Sequence, residues 1–134
     1  MKLEFKKVIT DATLSKIREV IEGYHSHAHF EGRYYFALKE GWIAGCVCLV
    51  RRGWYMTELK HLFVKEEYRE CGIGKFLLEE ALRKVKTPLV CCTVTSDNER
   101  SIDIFSMQSF EKISSFLNST TGHDILFLVN KLEG

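Results

Sequence analysis

The sequence predicts an α/β fold: one domain over residues 1–134, built on a mixed, mostly antiparallel sheet of about seven strands with helices on both faces. Three observations carry this expectation. Strand patterns over 34–39, 42–51 and 54–64 follow one another with only Glu40-Gly41 and Arg52-Gly53 between them, the arrangement of an antiparallel meander. An amphipathic helix then separates the strand ending at Val64 from the one beginning at Leu89, and a crossover of that kind makes the two strands parallel. Strands and helices continue to alternate without linker, repeat or low-complexity tract, so helices must cover the faces of the sheet.

Leu3, Phe5 and Val8 mark a first strand, after which Thr10 or Asp11 caps a helix whose Leu14, Ile17, Val20 and Ile21 share one face. Gly23 ends it. Residues 24–32 have no clean period, and the meander follows. From Ile73 the positions Leu77, Leu78, Ala81, Leu82 and Val85 form a helical stripe, with Glu79–Arg83 and Glu80–Lys84 as expected i,i+4 ion pairs on the wet side. Pro88 precedes an uninterrupted apolar strand over 89–95, which reads as buried on both faces. Ser96 with Glu99 resembles a capping box for a helix carrying Ile102 and Phe105. Two last strands, 110–117 and 125–132, flank the turn-rich 118–122.

With 46% apolar and 28% charged residues and a formal net charge of +1, the composition is that of an ordinary soluble globular protein and offers no electrostatic footprint for nucleic acid. The N-terminal MKLEFKK lacks the apolar core of a signal peptide, and the uncharged run 41–50 is too short to span a bilayer, so a cytoplasmic protein without membrane partner is expected. Five cysteines, an odd number, argue against a disulfide scaffold. Cys46 and Cys48 share a strand face and Cys91 and Cys92 oppose each other, so neither pair forms a zinc loop, and buried small apolar residues are the expectation.

The segment of most consequence is LKHLFVKEEYRECGIGKFLLEEAL, residues 59–82, in which a strand empties into Arg69-Glu70-Cys71-Gly72-Ile73-Gly74 and then into a helix. Glycines let successive N–H groups converge, and the helix start adds its positive dipole end, so the turn suits an anion such as a phosphate. The dinucleotide fingerprint fails because Leu77 stands where its third glycine belongs. A P-loop fails because Arg69 and Phe76 stand at its first glycine and its hydroxyl.

The remaining pattern, Arg69-x-x-Gly72-x-Gly74 between strand and helix, resembles the GNAT superfamily of acetyl-CoA-dependent N-acetyltransferases, and the element order extends that resemblance over nearly the whole chain. The resemblance implies a single GNAT-like domain that moves an acetyl group directly from acetyl-CoA to a primary amine, with neither metal nor covalent intermediate. It implies that N–H groups from Glu70 to Lys75, including Cys71 and Ile73, cradle the coenzyme A diphosphate, with Arg69 holding the turn and Lys75 adding charge. Main-chain groups of Leu62, Phe63 and Val64 would take the pantetheine arm, and a nearby family bulge would offer an N–H to the thioester carbonyl.

An amine needs its proton removed before attack, because an ammonium of the lysine type has a pKa of about 10.4. Glu58 matches the base position of some protein-lysine acetyltransferases in the superfamily, and His61 competes because imidazole titrates nearer neutrality. On a straight strand the two face opposite sides, so only a bulge brings both to one cleft. The second family signature appears as Asn98, Ser101 and Phe105 followed by Ser109-Phe110. Phe105 stands where many members carry a tyrosine that donates to the departing thiolate, and Ser109 where glycine is usual, so a catalytically silent acyl-CoA-binding or regulatory module is the alternative, and an interaction protein without the ligand a third reading.

Residues 24–35 fall where members build the acceptor pocket, for a small-molecule or protein amine. His25, His27 and His29 share a face only in extended structure, and their segment has no strand signature, so no metal is expected. Trp54 and Tyr55 are assigned to packing or to the contact of a homodimer.

Overall fold

A computed structural model of the chain describes residues 2–23 and 30–132. Its strands are β1 (Leu3–Lys7), β2 (Arg33–Lys39), β3 (Trp42–Arg51), β4 (Met56–Val64), β5 (Leu89–Thr95), β6 (Glu111–Leu117) and β7 (Asp124–Lys131), and its helices α1 (Asp11–Glu22), α2 (Ile73–Lys84) and α3 (Glu99–Met107). The strands form one mixed sheet of seven strands, as the sequence predicts, and their order is β1-β2-β3-β4-β5-β7-β6. Among neighbouring strands of the described residues only β4 and β5 pair in parallel, with α2 carrying the chain from the end of one back to the start of the other. No helix among the described residues is long and apolar enough to cross a membrane.

Period-two alternation sends neighbouring residues of β3 to opposite faces, and each face acquires its own helix layer. Val47 and Leu49 join Leu77, Leu78 and Ala81 of α2 and Phe105 of α3. Cys46, Cys48 and Val50 join Ile17 and Ile21 of α1. Each fully buried Ile or Leu of these layers stabilises the fold by roughly 1.5–3 kcal/mol of apolar transfer. Cys46, Cys48, Cys91 and Cys92 are buried and free, as expected, and Cys71 is half-buried.

Several local expectations need correction. The β3–β4 connection is longer than Arg52-Gly53: the Arg52 N–H donates to the Met56 carbonyl at 2.9 Å, so Trp54 and Tyr55 lie in the turn. Trp54, 77% exposed, packs edge-on against Tyr55 rather than into the core. On α2 the ion pairs are Lys75–Glu79 and Glu80–Arg83, because Glu79 is taken by Lys75 at 3.8 Å and by Gln108 at 3.3 Å. β5 is buried on both faces only in part: Val90, Cys92 and Val94 are covered on one face and Cys91 on the other, where Thr93 is exposed. α3 is capped by Asn98, whose Oδ1 accepts from the Ser101 N–H at 3.2 Å, not by Ser96.

Candidate functional site

The β4–β5 ladder runs for only three residue pairs, Met56 to Glu58 against Leu89 to Cys91. Beyond Cys91, β5 continues against β7 alone, and the carboxyl halves of the two parallel strands diverge around a cavity of about 470 Å³. Parallel strands commonly hold ligands in such a crevice at their carboxyl ends. One wall is residues 58–63 of β4; the other is residues 92–95 of β5, with Asn98, Ser101 and Phe105 of α3.

A bulge decides which side chains of β4 reach this cavity together. Cys46 pairs with Phe63 and Cys48 with Lys60, so the single residue Val47 faces two, His61 and Leu62. His61 absorbs the extra residue in the left-handed region at φ 55°. The parity of β4 therefore flips, and His61 joins Phe63 on the α1 side, its ring stacked with Phe30, Tyr34 and Phe63 at 5.9, 6.1 and 6.3 Å. Leu59, on the opposite parity from Glu58, is buried in the α2 layer. Glu58 and His61 thus share a face, the condition the straight-strand argument required.

Glu58 is not isolated there. Arg52 of the β3–β4 turn donates to its Oε1 from Nε at 2.9 Å, with Nη2 at 2.8 Å from the same oxygen. The same guanidinium reaches the Glu31 carboxylate at 2.6 Å, and Lys60 approaches Glu31 at 3.5 Å. Arg52 holds the Glu31 carboxyl below the usual carboxylate range. Sequence reading missed this group, because Glu31, Arg52 and Glu58 come from three separate elements and no local period links them.

A second cavity of about 500 Å³ opens where β4 ends, lined by Leu62, Phe63, Val64, Arg69, Glu70, Gly72, Ile73, Gly74 and Lys75. It shares Leu62, Phe63, Asn98 and Ser101 with the first, so the two are neighbouring parts of one groove. Glu70 and Gly72 both take positive φ, 64° and 76°, which curls the chain into the first turn of α2. Gly72 has no side chain to cap that turn, and a Cβ built on it would meet no atom within 4 Å, so the cradle is open. Phe76 is the first α2 residue to donate within the helix, to the Gly72 carbonyl at 3.0 Å, which leaves the preceding N–H groups as orphan donors. Arg69 Nε donates to the Val64 carbonyl at 3.2 Å and ties the turn to the end of β4.

Ten of the twelve expected cofactor-binding residues line this second cavity, with Asn98 in both cavities and Phe105 in the first only. Cys71 lines neither; its thiol lies 3.9 Å from Lys39 Nζ. Sequence reading missed Arg100, Ile104 and Met107, which α3 brings to the glycine-turn end of the groove at i, i+4 and i+7 from Arg100. Of the expected acceptor wall, Phe30 to Tyr35 are described, whereas residues 24–29, with His25, His27 and His29, lie outside the described residues. Among the described residues no group of three His, Cys, Asp or Glu could hold a metal ion.

Comparison with known proteins bears on this groove. No curated protein matches the chain in sequence. The fold is shared with a chain of the NatC complex bound to Gag peptide and CoA, at TM-score 0.86 and 17% identity over 99% of this chain and 100% of that one. It is shared with Arabidopsis thaliana NAA60 in complex with acetyl-CoA, at 0.80 and 16% over 99% and 100%. A GNAT family acetyltransferase from Elizabethkingia anophelis with acetyl-CoA bound gives 0.75 and 15% over 97% and 98%. Residues 7–110, from the end of β1 to the start of β6, match the family described as acetyltransferase (GNAT). That span contains every residue named above as lining the diverging-strand groove, together with the glycine turn at its end, and the chain belongs to the acetyltransferase (GNAT) family.

Proposed function

We propose that the protein transfers an acetyl group from acetyl-CoA directly to a primary amine of a small molecule or a protein. The observation that carries this reading is the groove itself: an open glycine cradle with orphan N–H donors at one end and Glu58 with His61 at the other. A diphosphate fits the cradle, since convergent amides and a helix start favour an anion and nothing fills the space above Gly72. Arg69 keeps the turn in place, and Lys75, exposed and only loosely paired to Glu79, adds positive charge. Leu62, Phe63 and Val64 lie beyond the last β4–β5 pair, so on the side facing the groove no strand ladder takes their main chain, while β3 pairs Phe63 and Val64 on the other.

When bound, acetyl-CoA supplies an activated acyl thioester. Glu58 or His61, directly or through water, takes the proton that the amine must lose before attack. The bulge at His61-Leu62 turns the backbone of β4 where an N–H can meet the thioester carbonyl. Phe105 donates nothing, so the thiol leaves as thiolate or is protonated by water, at modest cost for a thiol with pKa near 8.5.

The buried Phe105 also favours a second reading, a module that binds acyl-CoA without turnover. Titration calorimetry with coenzyme A and thiol release over benzylamine, spermidine and a peptide with a free N-terminus separate the two. Heat together with amine-dependent thiol release supports transfer. Heat without release supports the silent module, and neither signal sinks both. The variant Gly72→Val, which places a side chain in the cradle on a residue at φ 76°, is expected to weaken coenzyme A binding by about tenfold or more.

A further inference from the structure

Glu58 offers two oxygens, and Arg52 occupies only one. Both of its short contacts, from Nε at 2.9 Å and Nη2 at 2.8 Å, go to Oε1, and Oε2 has no partner among the described residues. The guanidinium is fixed from its other side by Glu31, at 2.6 Å to Oε1 and 3.5 Å to Oε2. Glu31 is itself steadied by Lys60, which lines the transfer cavity with Glu58. Glu31 precedes β2, Arg52 follows β3 and Glu58 lies on β4, so three elements converge on one guanidinium.

An arginine that served only the surface would gain little from such an arrangement, since exposed ion pairs contribute about 0–1 kcal/mol. Its rigid planar fork instead fixes the orientation of what it binds, which a lysine ammonium does not do. We propose that Arg52 is the positioning residue of the acceptor-side carboxylate: anchored by Glu31, it holds Glu58 by Oε1 and keeps Oε2 available for the incoming amine. The inference rests on the transfer reading above and extends it to two residues, Arg52 and Glu31, outside the family signatures. Its chemistry is orientational. The amine proton passes to Oε2, the carbon–nitrogen bond forms as the carbon–sulfur bond breaks, and Arg52 keeps its own protons throughout.

The test is steady-state kinetics of Arg52→Ala, Arg52→Lys and Glu31→Gln, with the amine on which the parent releases thiol, alongside thermal melts. Arg52→Ala is expected to lower kcat by about tenfold to a hundredfold, as misplacement of a reacting group does, while the KM for acetyl-CoA stays at the parental value. Millimolar guanidinium chloride is expected to restore part of that kcat in Arg52→Ala and to leave the parent unchanged. Arg52→Lys is expected to fall between, and Glu31→Gln to act in the same direction and add nothing to Arg52→Ala. Parental kcat in Arg52→Ala overturns the proposal, as does a loss carried by the KM for acetyl-CoA and unmoved by guanidinium. Should Arg52→Ala fail to fold, parental kcat in both Arg52→Lys and Glu31→Gln overturns it. A parent that binds coenzyme A yet transfers to none of the amines overturns the transfer reading and this one with it, whereas an active parent with indifferent variants overturns only the role of Arg52.

Discussion

Ser109 takes φ 67°, in the left-handed region, at the end of α3. The Phe110 N–H donates to the Phe105 carbonyl at 3.1 Å and the Ser109 N–H to the Ser106 carbonyl at 3.3 Å, the paired bonds of a Schellman cap with Ser109 at its left-handed position. The Phe105 and Phe110 rings meet at 5.1 Å across that cap, the apolar contact that usually accompanies it. The residue usual at position 109 in the family is glycine, and the geometry explains why: an L-residue there costs roughly 1–2 kcal/mol that glycine avoids. Ser109→Gly is therefore expected to raise stability by about 1 kcal/mol, read as a higher urea midpoint at unchanged slope. An unchanged or lower midpoint would count against the cap. Phe105, read in the sequence only as a missing hydroxyl, is thus also a packing residue of the helix end.

At the scale of elements, the groove depends on β3 and β4 staying close while β4 and β5 part. Gly45 of β3 lies opposite Val64, where a Cβ would run into the Phe63 carbonyl oxygen and meet Leu77 Cδ1 at 3.1 Å. A backbone oxygen cannot move aside as a side-chain end can. Gly45→Ala is expected to destabilise the protein by about 1–3 kcal/mol, the usual cost of overpacking, and to weaken coenzyme A binding in parallel, because it pushes the end of β4 out of line. Denaturant titration together with calorimetry checks both effects. Most of these elements were legible in the sequence, since helical stripes and strand alternation are local. The Asn98 cap was not, because Ser96-x-x-Glu99 offers an equally good local pattern and β5, held against β7 through Thr95, runs too far for a helix to start there.

Over the whole molecule the two faces of the sheet bury groups that titrate in alkali. Burial pushes the Cys46 and Cys48 thiols up to about 12 and the Cys91 thiol up to about 11, and raises Cys92 and Tyr34 as well. A thiol whose folded-state value is raised keeps its proton in the native protein while the unfolded chain loses it, so the stabilisation is complete below the ordinary value of 9.0. It is lost as pH rises through 11–12, by up to about 1.4 kcal/mol per pH unit for each thiol. Under reducing conditions the urea midpoint is expected to be level between pH 7 and 8 and to fall steeply above pH 9. A midpoint level to pH 11 would contradict the burial of these cysteines.

The sequence by itself determined the succession of elements, the mixed sheet and the glycine turn opening α2, because periodicity, capping residues and glycine conformation act over a few neighbouring positions. Tertiary structure alone decided that β4 carries a bulge at His61, that β4 and β5 separate after three pairs, and that Glu31 and Glu58 close on Arg52. Those outcomes depend on strand register and on contacts between residues of different elements, where the packing of two faces at once, rather than any local preference, selects the arrangement.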